Sequence, residues 1–209
     1  MKKLLLLLLI TSALIAQSNA RDKFSVRAAY GKSTSSDLGN VISGKIDSDV
    51  ASLHVYNIDG GYLLKNNLLD LPIDIYAKGG LSYYDEGDKS NVYGADIYIK
   101  AYWNFDFLKN RVRAGFGEGF SYTTKTLQTE LYDAYLNRDA SGKPDNTSNF
   151  LNYLDISVDF DLGKLIRSKA LDETYVGFLI KHRSGIFGLI NNVKHGGSNY
   201  NSFYIEKNF

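Results

Sequence analysis

Strict alternation runs through Val92-Tyr-Gly-Ala-Asp-Ile-Tyr-Ile-Lys-Ala-Tyr-Trp103. Successive side chains of a β-strand point to opposite faces, so Ile97 and Ile99 share one face while Asp96 and Lys100 share the other. One face of this stretch is apolar and aromatic, and the other is polar and charged. The pattern predicts a strand with two unlike environments, and the fold depends on how often the chain repeats it.

Seven further segments show strand character and are separated by polar or glycine-containing stretches. In the second segment the apolar parity changes across Asp59-Gly60-Gly61, which predicts a β-bulge. The facing of the fifth segment stays open, because Phe116, Glu118 and Phe120 share one parity. One helical turn is predicted around Leu127 to Tyr135. The predicted strands are 23–30, 51–64, 73–84, 92–103, 111–123, 150–162, 174–184 and 198–209.

The connections between these segments are long after the first, fifth and seventh strands and short after the second, fourth and sixth. Transmembrane barrels show this asymmetry between their two ends. The 16 Tyr, 11 Phe and 19 Gly are interleaved with charge, which favours aromatic-rich strands over transmembrane helices. We therefore predict an all-β fold, an eight-stranded antiparallel up-and-down transmembrane β-barrel.

The polar faces of the predicted strands carry charges of both signs. An eight-stranded barrel is just wide enough for side chains to fill its interior. We therefore expect these charges to pair across a packed lumen that leaves no open pore. The residues assigned to the lumen are Arg27, Asp74, Lys78, Asp96, Lys100, Asp155, Asp159, Glu173 and Lys181.

The N-terminus has the composition of a secretory signal peptide. Lys2 and Lys3 precede an apolar run, and Ser18-Asn19-Ala20 offers small residues for cleavage. The apolar run is shorter than the roughly 20 residues of a membrane-spanning helix. We predict a signal peptide at 1–20 and an outer-membrane barrel at 21–209. Removing two lysines changes the formal net charge from +1 to −1, which gives no footprint for nucleic acid.

Aromatic residues also mark the predicted membrane interfaces. Trp103, Phe105 and Phe107 fall near the periplasmic side, where an aromatic girdle is expected. The C-terminal Phe209 resembles the terminal aromatic of outer-membrane assembly signals, which predicts the barrel assembly machinery as a partner during insertion. The sequence has no Cys, so an exported chain of this kind folds without disulfides.

The seventh strand ends with a histidine and a serine two residues apart, His182-Arg-Ser184. Both share the apolar face with Phe178 and Ile180, so neither is expected to join the lumen charges. In a barrel whose ends are periplasmic, the end of strand seven lies at the outer leaflet. A serine becomes a nucleophile when a neighbouring base takes its proton, and the nearest substrate for this pair is lipid.

A local resemblance to a known family supports this interpretation. His182-Arg-Ser184-Gly-Ile-Phe-Gly, the loop with Asn191 and Asn192, and Gly196-Gly197-Ser198-Asn199 resemble the PagL-type lipid A 3-O-deacylases, or acyloxyacyl hydrolases. The resemblance covers about the last thirty residues. It implies an eight-stranded outer-membrane barrel with a Ser/His/Glu triad on its lipid-facing surface. The implied activity is removal of an ester-linked 3-hydroxyacyl chain from lipid A in lipopolysaccharide.

The resemblance assigns a role to each matching residue. Ser184 matches the nucleophile and His182 the base, while Asn199 occupies the place of the family's glutamate. Asparagine can orient an imidazole but supplies no negative charge, so reduced activity is expected. Gly188 and Asn192 are the candidates for an oxyanion hole. The family's asparagine after the serine is Gly185 here.

Other interpretations stay open at this point. His182 and Ser184 could be interfacial polar residues without chemistry, and the chain would then be a non-catalytic adhesin or structural barrel that binds through loops 31–49 and 125–149. His54 has lumen parity and His195 lies in a loop, so both are expected to be structural. Glu206 also has lumen parity and is a weak substitute for the missing acid. The predicted chemistry needs no cofactor or metal, and the sequence leaves open whether two barrels pair.

Overall fold

The structure is a computed structural model that describes residues 23–47 and 53–209; the predicted signal peptide at 1–20 lies outside them. Eight antiparallel strands, each hydrogen-bonded to its sequence neighbours, close into a barrel when β1 pairs with β8. The predicted up-and-down barrel is therefore confirmed. The strands are β1 (Phe24–Thr34), β2 (His54–Lys65), β3 (Ile73–Asp85), β4 (Val92–Phe107), β5 (Asn110–Thr123), β6 (Phe150–Asp161), β7 (Thr174–Ser184) and β8 (Ser198–Asn208).

The helical segments lie in the connections. The predicted helical turn after β5 is a complete helix. No helix among residues 23–47 and 53–209 has the length and apolar composition needed to cross a membrane. The α-helices are α1 (Leu38–Ile42), α2 (Gln128–Leu136) and α3 (Leu162–Ile166), and two 3₁₀ turns occupy Leu68–Asp70 and Lys169–Leu171.

The register of the sheet tilts the strands around the barrel axis. Each residue of a strand has a directly paired residue on the next strand, and these pairs form a row around the barrel. The row that starts at Phe24 on β1 passes through Glu118 on β5, His182 on β7 and Asn199 on β8, and it returns to β1 at Thr34. The row thus climbs the whole length of β1 in one circuit, as the stagger of a closed barrel requires. His182 and Asn199 lie late on this climb, toward the end that carries loops 35–53, 86–91, 124–149 and 185–197, which we call the long-loop end.

The outer surface of the barrel is a continuous apolar belt. Soluble proteins rarely expose so many large apolar side chains together, whereas lipid-facing barrels do. The predicted girdle of Trp103, Phe105 and Phe107 is exposed at the end opposite the long loops. A row of paired tyrosines, Tyr30, Tyr56, Tyr83 and Tyr93, climbs toward the long-loop end. Other exposed members of the belt are Val26, Ile58, Tyr62, Leu81, Ile97, Ile99, Phe116, Phe120, Phe203 and Ile205.

The lumen is filled by paired charges, as predicted. Arg27 donates to Asp59 (3.0 Å) and Asp155 (2.6 Å), and Lys100 also binds Asp155. Lys78 donates to Glu206 over 2.6 Å. All of these side chains are fully buried. Among the described residues the lumen also contains the ion pairs of Arg113 with Asp159 and Glu206 and of Lys181 with Asp96.

Two residues assigned to the lumen network lie elsewhere. Asp74 accepts hydrogen bonds from the Asn67 backbone and the Asn104 side chain. It lies at the end of the barrel opposite the long loops, which we call the short-turn end. Glu173 accepts from the Tyr175 hydroxyl just before β7 begins. Both positions are at the rim of the barrel, where the lumen face opens to water, so parity alone did not predict their surroundings.

The predicted bulge at Asp59-Gly60-Gly61 is wrong. The β1–β2 register runs through these residues without a shift, and the irregularity between β2 and β3 lies at Leu63 and Lys65. The apolar parity changes because Val55 points into the lumen, where the long-loop end is closed by an apolar cluster. His54 therefore faces outward, contrary to its predicted lumen parity, and its Nδ1 lies 2.8 Å from the Tyr30 hydroxyl. The cluster consists of Val55, Tyr84, Val92, Leu127 and Tyr200.

The structure also determines the facing of β5. Arg113 is buried in the lumen, whereas Phe116 and Phe120 are exposed on the outer belt. Glu118 has the same outward facing and is exposed. One carboxylate therefore lies in the apolar belt, on the row that leads to His182.

Candidate functional site

The three predicted triad residues lie together on the outer face at the long-loop end. His182 is paired across the sheet with Asn199 on β8, and Ser184 follows two residues later on the same face of β7. Lys181 and Arg183 point the other way, to Asp96 in the lumen and to Glu130 on α2. The alternation of β7 thus separates uncharged polar groups outside from charged groups inside.

Asn199 orients the imidazole of His182. The Asn199 Nδ2 donates to the Ser36 carbonyl over 3.0 Å, which leaves its Oδ1 to accept from His182 Nδ1 over 2.7 Å. The proton is then on Nδ1, so Nε2 is the nitrogen that can take up another. Both side chains are nearly buried, with His182 9% and Asn199 8% exposed, although they have outward parity.

Ser184 lies beside this pair without being bonded to it. No hydrogen bond joins Ser184 Oγ to His182 in the described part of the chain. Both residues flank Gly197, since a Cβ at that position would lie 3.6 Å from His182 Cε1 and 3.8 Å from Ser184 Cβ. Catalytic hydrogen bonds are often long before substrate binds, so this arrangement is compatible with proton transfer after a rotation of the serine side chain.

The predicted oxyanion residues lie in the loop that follows Ser184. Gly188 has φ +96° and Asn192 has φ 55°, and a Cβ on Gly188 would lie 3.7 Å from Asn192 Oδ1. The structure therefore brings these two residues together. Within the described residues no hydrogen bond joins either of them to Ser184, so their role stays a prediction.

Gly185 is fixed by the packing of the same loop. A Cβ at this position would lie 2.1 Å from the Val193 carbonyl oxygen, and Ile190 N donates to Gly185 O over 2.9 Å. No side chain fits there unless the loop moves. The departure from the family's asparagine is therefore a consequence of how this loop closes.

The candidate site has no carboxylate in contact with His182 among the described residues. Glu118, which lies on the same row of paired residues, does not supply one. Glu118 pairs with Leu154, and Leu154 pairs with His182. At a strand spacing of about 4.8 Å, Glu118 and His182 are roughly 10 Å apart with the leucine between them. Glu206, the other candidate, is buried in the lumen with Lys78. Asn199 is the residue in contact with the imidazole.

Sequence reasoning missed a clamp formed by α2. Glu130 Oε1 accepts from Arg183 Nη1 over 2.6 Å and from Ser198 Oγ over 3.0 Å. Arg183 lies between His182 and Ser184, and Ser198 directly precedes Asn199. One carboxylate therefore holds the backbone segments that carry all three site residues. In the sequence Glu130 is one acid among many in a charged loop, and no local signal distinguishes it.

The same connection also holds the loop after β7. Asp133 Oδ2 accepts from the backbone N–H groups of Gly196 (2.7 Å) and Gly197 (3.2 Å). Asp145 Oδ2 accepts from those of Lys194 (3.1 Å) and His195 (2.6 Å). His195 is thus a structural loop residue. The connection 124–149, predicted as irregular, packs over the site and fixes its far side.

Burial raises the pKa of Glu130 to about 7, against the opposing effect of Arg183 and the hydrogen bonds from Ser198 and Leu127. Nearby Glu86 adds to the increase. Among the residues that the structure describes, no group of three or more His, Cys, Asp or Glu is arranged to hold a metal ion.

No protein-family profile and no curated protein matches the chain. Among solved structures, the outer membrane enzyme PagL is similar with a TM-score of 0.55 and 13% identity, over 88% of this chain and 98% of that one. Neisserial surface protein A gives 0.49 and 15% over 89% and 97%. The N-terminal β-barrel domain of Pseudomonas aeruginosa OprF gives 0.46 and 12% over 90% and 99%. At such identities the similarity to PagL shows the fold.

Proposed function

We propose that this chain is an outer-membrane serine esterase that removes an ester-linked 3-hydroxyacyl chain from lipid A. The observation that carries the proposal is the hydrogen bond between His182 and Asn199 beside Ser184. These groups lie on the belt that faces lipid. An oriented imidazole there has no role in the ion pairs of the lumen, and the esters of the outer leaflet are the substrates within its reach.

In the proposed reaction His182 Nε2 takes the proton of Ser184 Oγ, and the oxygen attacks the acyl carbonyl carbon. Backbone N–H groups of the loop around Gly188 and Asn192 stabilise the resulting oxyanion. The ester C–O bond then breaks, and His182 gives its proton to the departing sugar oxygen. His182 Nε2 then takes a proton from water, and the resulting hydroxide attacks the acyl carbonyl carbon. The bond between this carbon and Ser184 Oγ breaks, the fatty acid leaves, and His182 returns the proton to Ser184 Oγ.

Asn199 distinguishes this site from a triad that contains a carboxylate. Its Oδ1 fixes the tautomer and orientation of the imidazole, but it does not stabilise the imidazolium by charge. The proposed enzyme is therefore slower than one with glutamate in this place. Glu130 contributes to the site only indirectly, because it binds Arg183 and Ser198, the chain neighbours of His182, Ser184 and Asn199.

The test is to express the full chain in a bacterial outer membrane and to analyse lipid A by mass spectrometry. We expect the wild type to remove one 3-hydroxyacyl group and Ser184→Ala to remove none, a loss of at least about 10³-fold. Both proteins must be present as heat-modifiable folded barrels. Unchanged lipid A with a folded wild type would refute the proposal.

A second function is favoured by the surface of α2. Leu131, Tyr132, Tyr135 and Leu136 are all exposed on this helix above the barrel. Exposed apolar groups in a loop are typical of a binding surface. A non-catalytic adhesin or structural barrel would use this surface, and it would leave lipid A intact in both the wild type and Ser184→Ala.

A further inference from the structure

The loop that follows Ser184 exposes two large apolar side chains at its tip. Phe187 is 94% exposed and Leu189 is 80% exposed. We propose that Phe187 and Leu189 insert into the outer leaflet of the membrane that the barrel spans, as a wedge beside Ser184. The proposal rests on the membrane location of the barrel and not on the esterase chemistry.

The backbone of the tip holds these side chains outward. Ile186, Phe187 and Gly188 have φ of 49°, 54° and 96°, three consecutive residues in the left-handed region. For a residue other than glycine this conformation is unfavourable, because its Cβ lies too close to the following carbonyl oxygen. Strain of this kind persists only where the surroundings enforce it, and it is typical of functional segments.

The base of the loop enforces the conformation. Leu189 N donates to Ile186 O over 3.1 Å, and Gly185 packs directly against the Val193 carbonyl. Asn191 Nδ2 donates to Ser148 Oγ and Phe150 O, both over 2.9 Å. The tip is therefore a closed turn with fixed ends, and its two apolar side chains are exposed.

The position of the base connects the tip to the lipid-facing belt. Phe150 is exposed on the outer face at the start of β6 and stacks on Phe120, with ring centroids 5.3 Å apart. Asn191 is bonded to the carbonyl of this same Phe150. The tip thus continues the aromatic belt beyond the end of β7. A lipid surface is the environment already present at this edge, so no separate partner protein is needed to cover the tip.

The free energies favour insertion. Burying a phenylalanine or leucine side chain in hydrocarbon is favourable, because apolar surface is removed from water. Lys194 is exposed beside the tip, with its Cγ 3.2 Å from the place of a Cβ on Gly188. Apolar side chains next to a lysine suit a membrane interface, where hydrocarbon borders charged head groups.

The opposite end of the barrel offers a matched comparison. Leu69 and Leu108 are 82% and 84% exposed in short turns and have φ of 54° and 50°. They combine the same exposure with the same backbone conformation, far from Ser184. If both rims contact lipid, all four side chains are inserted, but only the tip at Phe187 and Leu189 is coupled to the site.

The experiment uses tryptophan fluorescence of the full-length barrel. Trp103 is the single tryptophan and lies on the outer belt, so it serves as the reference for a lipid-facing indole. Phe187→Trp is made in a Trp103→Phe background and reconstituted in phosphatidylcholine vesicles with and without bromine on the acyl chains. We expect the emission of the new tryptophan to be blue-shifted. We also expect brominated lipid to quench its fluorescence about as strongly as it quenches that of Trp103.

Ser141→Trp in the same background is the water-exposed control, because Ser141 lies in the polar part of connection 124–149. If Phe187→Trp is quenched no more than this control, the proposal is wrong. A second variant, Phe187→Ser with Leu189→Ser, should lower the rate on lipid A in vesicles several-fold more than it lowers the rate on a short-chain soluble ester. Quenching without any esterase activity would support the wedge and refute the proposed function, so the two failures are distinguishable.

Discussion

The lumen and the outer site both bury polar side chains, but they do so with different chemistry. In the lumen every interior cation of the described strands is paired with a carboxylate, as Arg27 is with Asp59 and Asp155. On the outer face His182, Ser184 and Asn199 carry no formal charge when the imidazole is neutral. The lumen charges are partnered by one another, whereas in the outer site His182 is hydrogen-bonded to Asn199 and no hydrogen bond joins Ser184 Oγ to either of them.

This difference shows which polar residues the fold needs. A buried charge must be paired, because an isolated one costs several kcal/mol. Neutral polar groups can face a lipid interface at a lower cost, but that cost is still avoidable with apolar residues. The lumen pairs are therefore structural, and the outer groups are where the proposed chemistry would take place.

The largest expected effect concerns the lumen. Asp155→Ala removes the partner that Arg27 and Lys100 share, and it leaves the buried Lys100 without a carboxylate and Arg27 with Asp59 alone. We expect the free energy of unfolding to fall by about 3–5 kcal/mol. Urea denaturation of the barrel in lipid vesicles, followed by tryptophan emission, measures this loss.

Asp106→Ala is the matched control. Asp106 forms an ion pair with Arg111 over 2.9 Å, but both side chains are partly exposed at the short-turn end. Its removal should change stability by about 0–1 kcal/mol. Equal losses for the two variants would contradict the view that burial, rather than pairing as such, makes the lumen network important.

The architecture was predictable from sequence because it depends on a period of two. The alternation of residues 92–103 recurs in the other strands, and a barrel is the fold that satisfies all of them together. Parity fails where both faces are apolar. Val55 points into the lumen because the long-loop end is closed by an apolar cluster, and this misled the assignment of His54.

The candidate site was predictable in part for the same reason. His182, Ser184 and Asn199 lie on strands, where register determines neighbours. Glu130 and Asp133 act from a helix in a long connection, and their contacts depend on how that connection folds back over the barrel. No sequence period reports such a contact. The contacts of Glu130 and Asp133 are therefore visible only in the structure, whereas the pairing of His182 with Asn199 follows from the strands.

The second prediction tests whether a charge near the outer site behaves like those of the lumen. Burial raises the pKa of Glu130 from its ordinary value of 4.5 to about 7. Between these values the folded state binds more protons than the unfolded state, so stability falls as pH rises from about 4.5 to 7. Arg183 and Glu86 are the charged groups that face it. Glu130→Gln should remove this slope, on the order of 1–3 kcal/mol over the window.

Hydrogen exchange of the α2 amides at several pH values measures the effect. Asp139→Asn in the same connection is the control, since hydrogen bonds from Ser141 lower the pKa of Asp139. The stability that ionised Asp139 contributes is lost as the pH falls through its lowered pKa. The dependence of stability on pH therefore has the opposite sign to that of Glu130, and it occurs at lower pH. If wild type and Glu130→Gln have the same pH dependence, Glu130 is ionised throughout and the clamp is an ordinary ion pair.

The smallest effect on the fold and the most specific one on activity is expected for Asn199→Ala. It removes the acceptor of His182 Nδ1, so the imidazole loses its fixed orientation and tautomer, and kcat should fall about 10- to 100-fold with little change in KM. Asn201→Ala is the matched control, because Asn201 lies on the same face of β8 and its Oδ1 has no hydrogen-bond partner among the described residues. The rate of lipid A hydrolysis in vesicles is measured for both variants. It distinguishes the loss of imidazole orientation from the loss of side-chain packing on β8. If kcat falls equally in the two variants, Asn199 contributes packing and not orientation. The polar residues of the outer site would then be structural, as those of the lumen are.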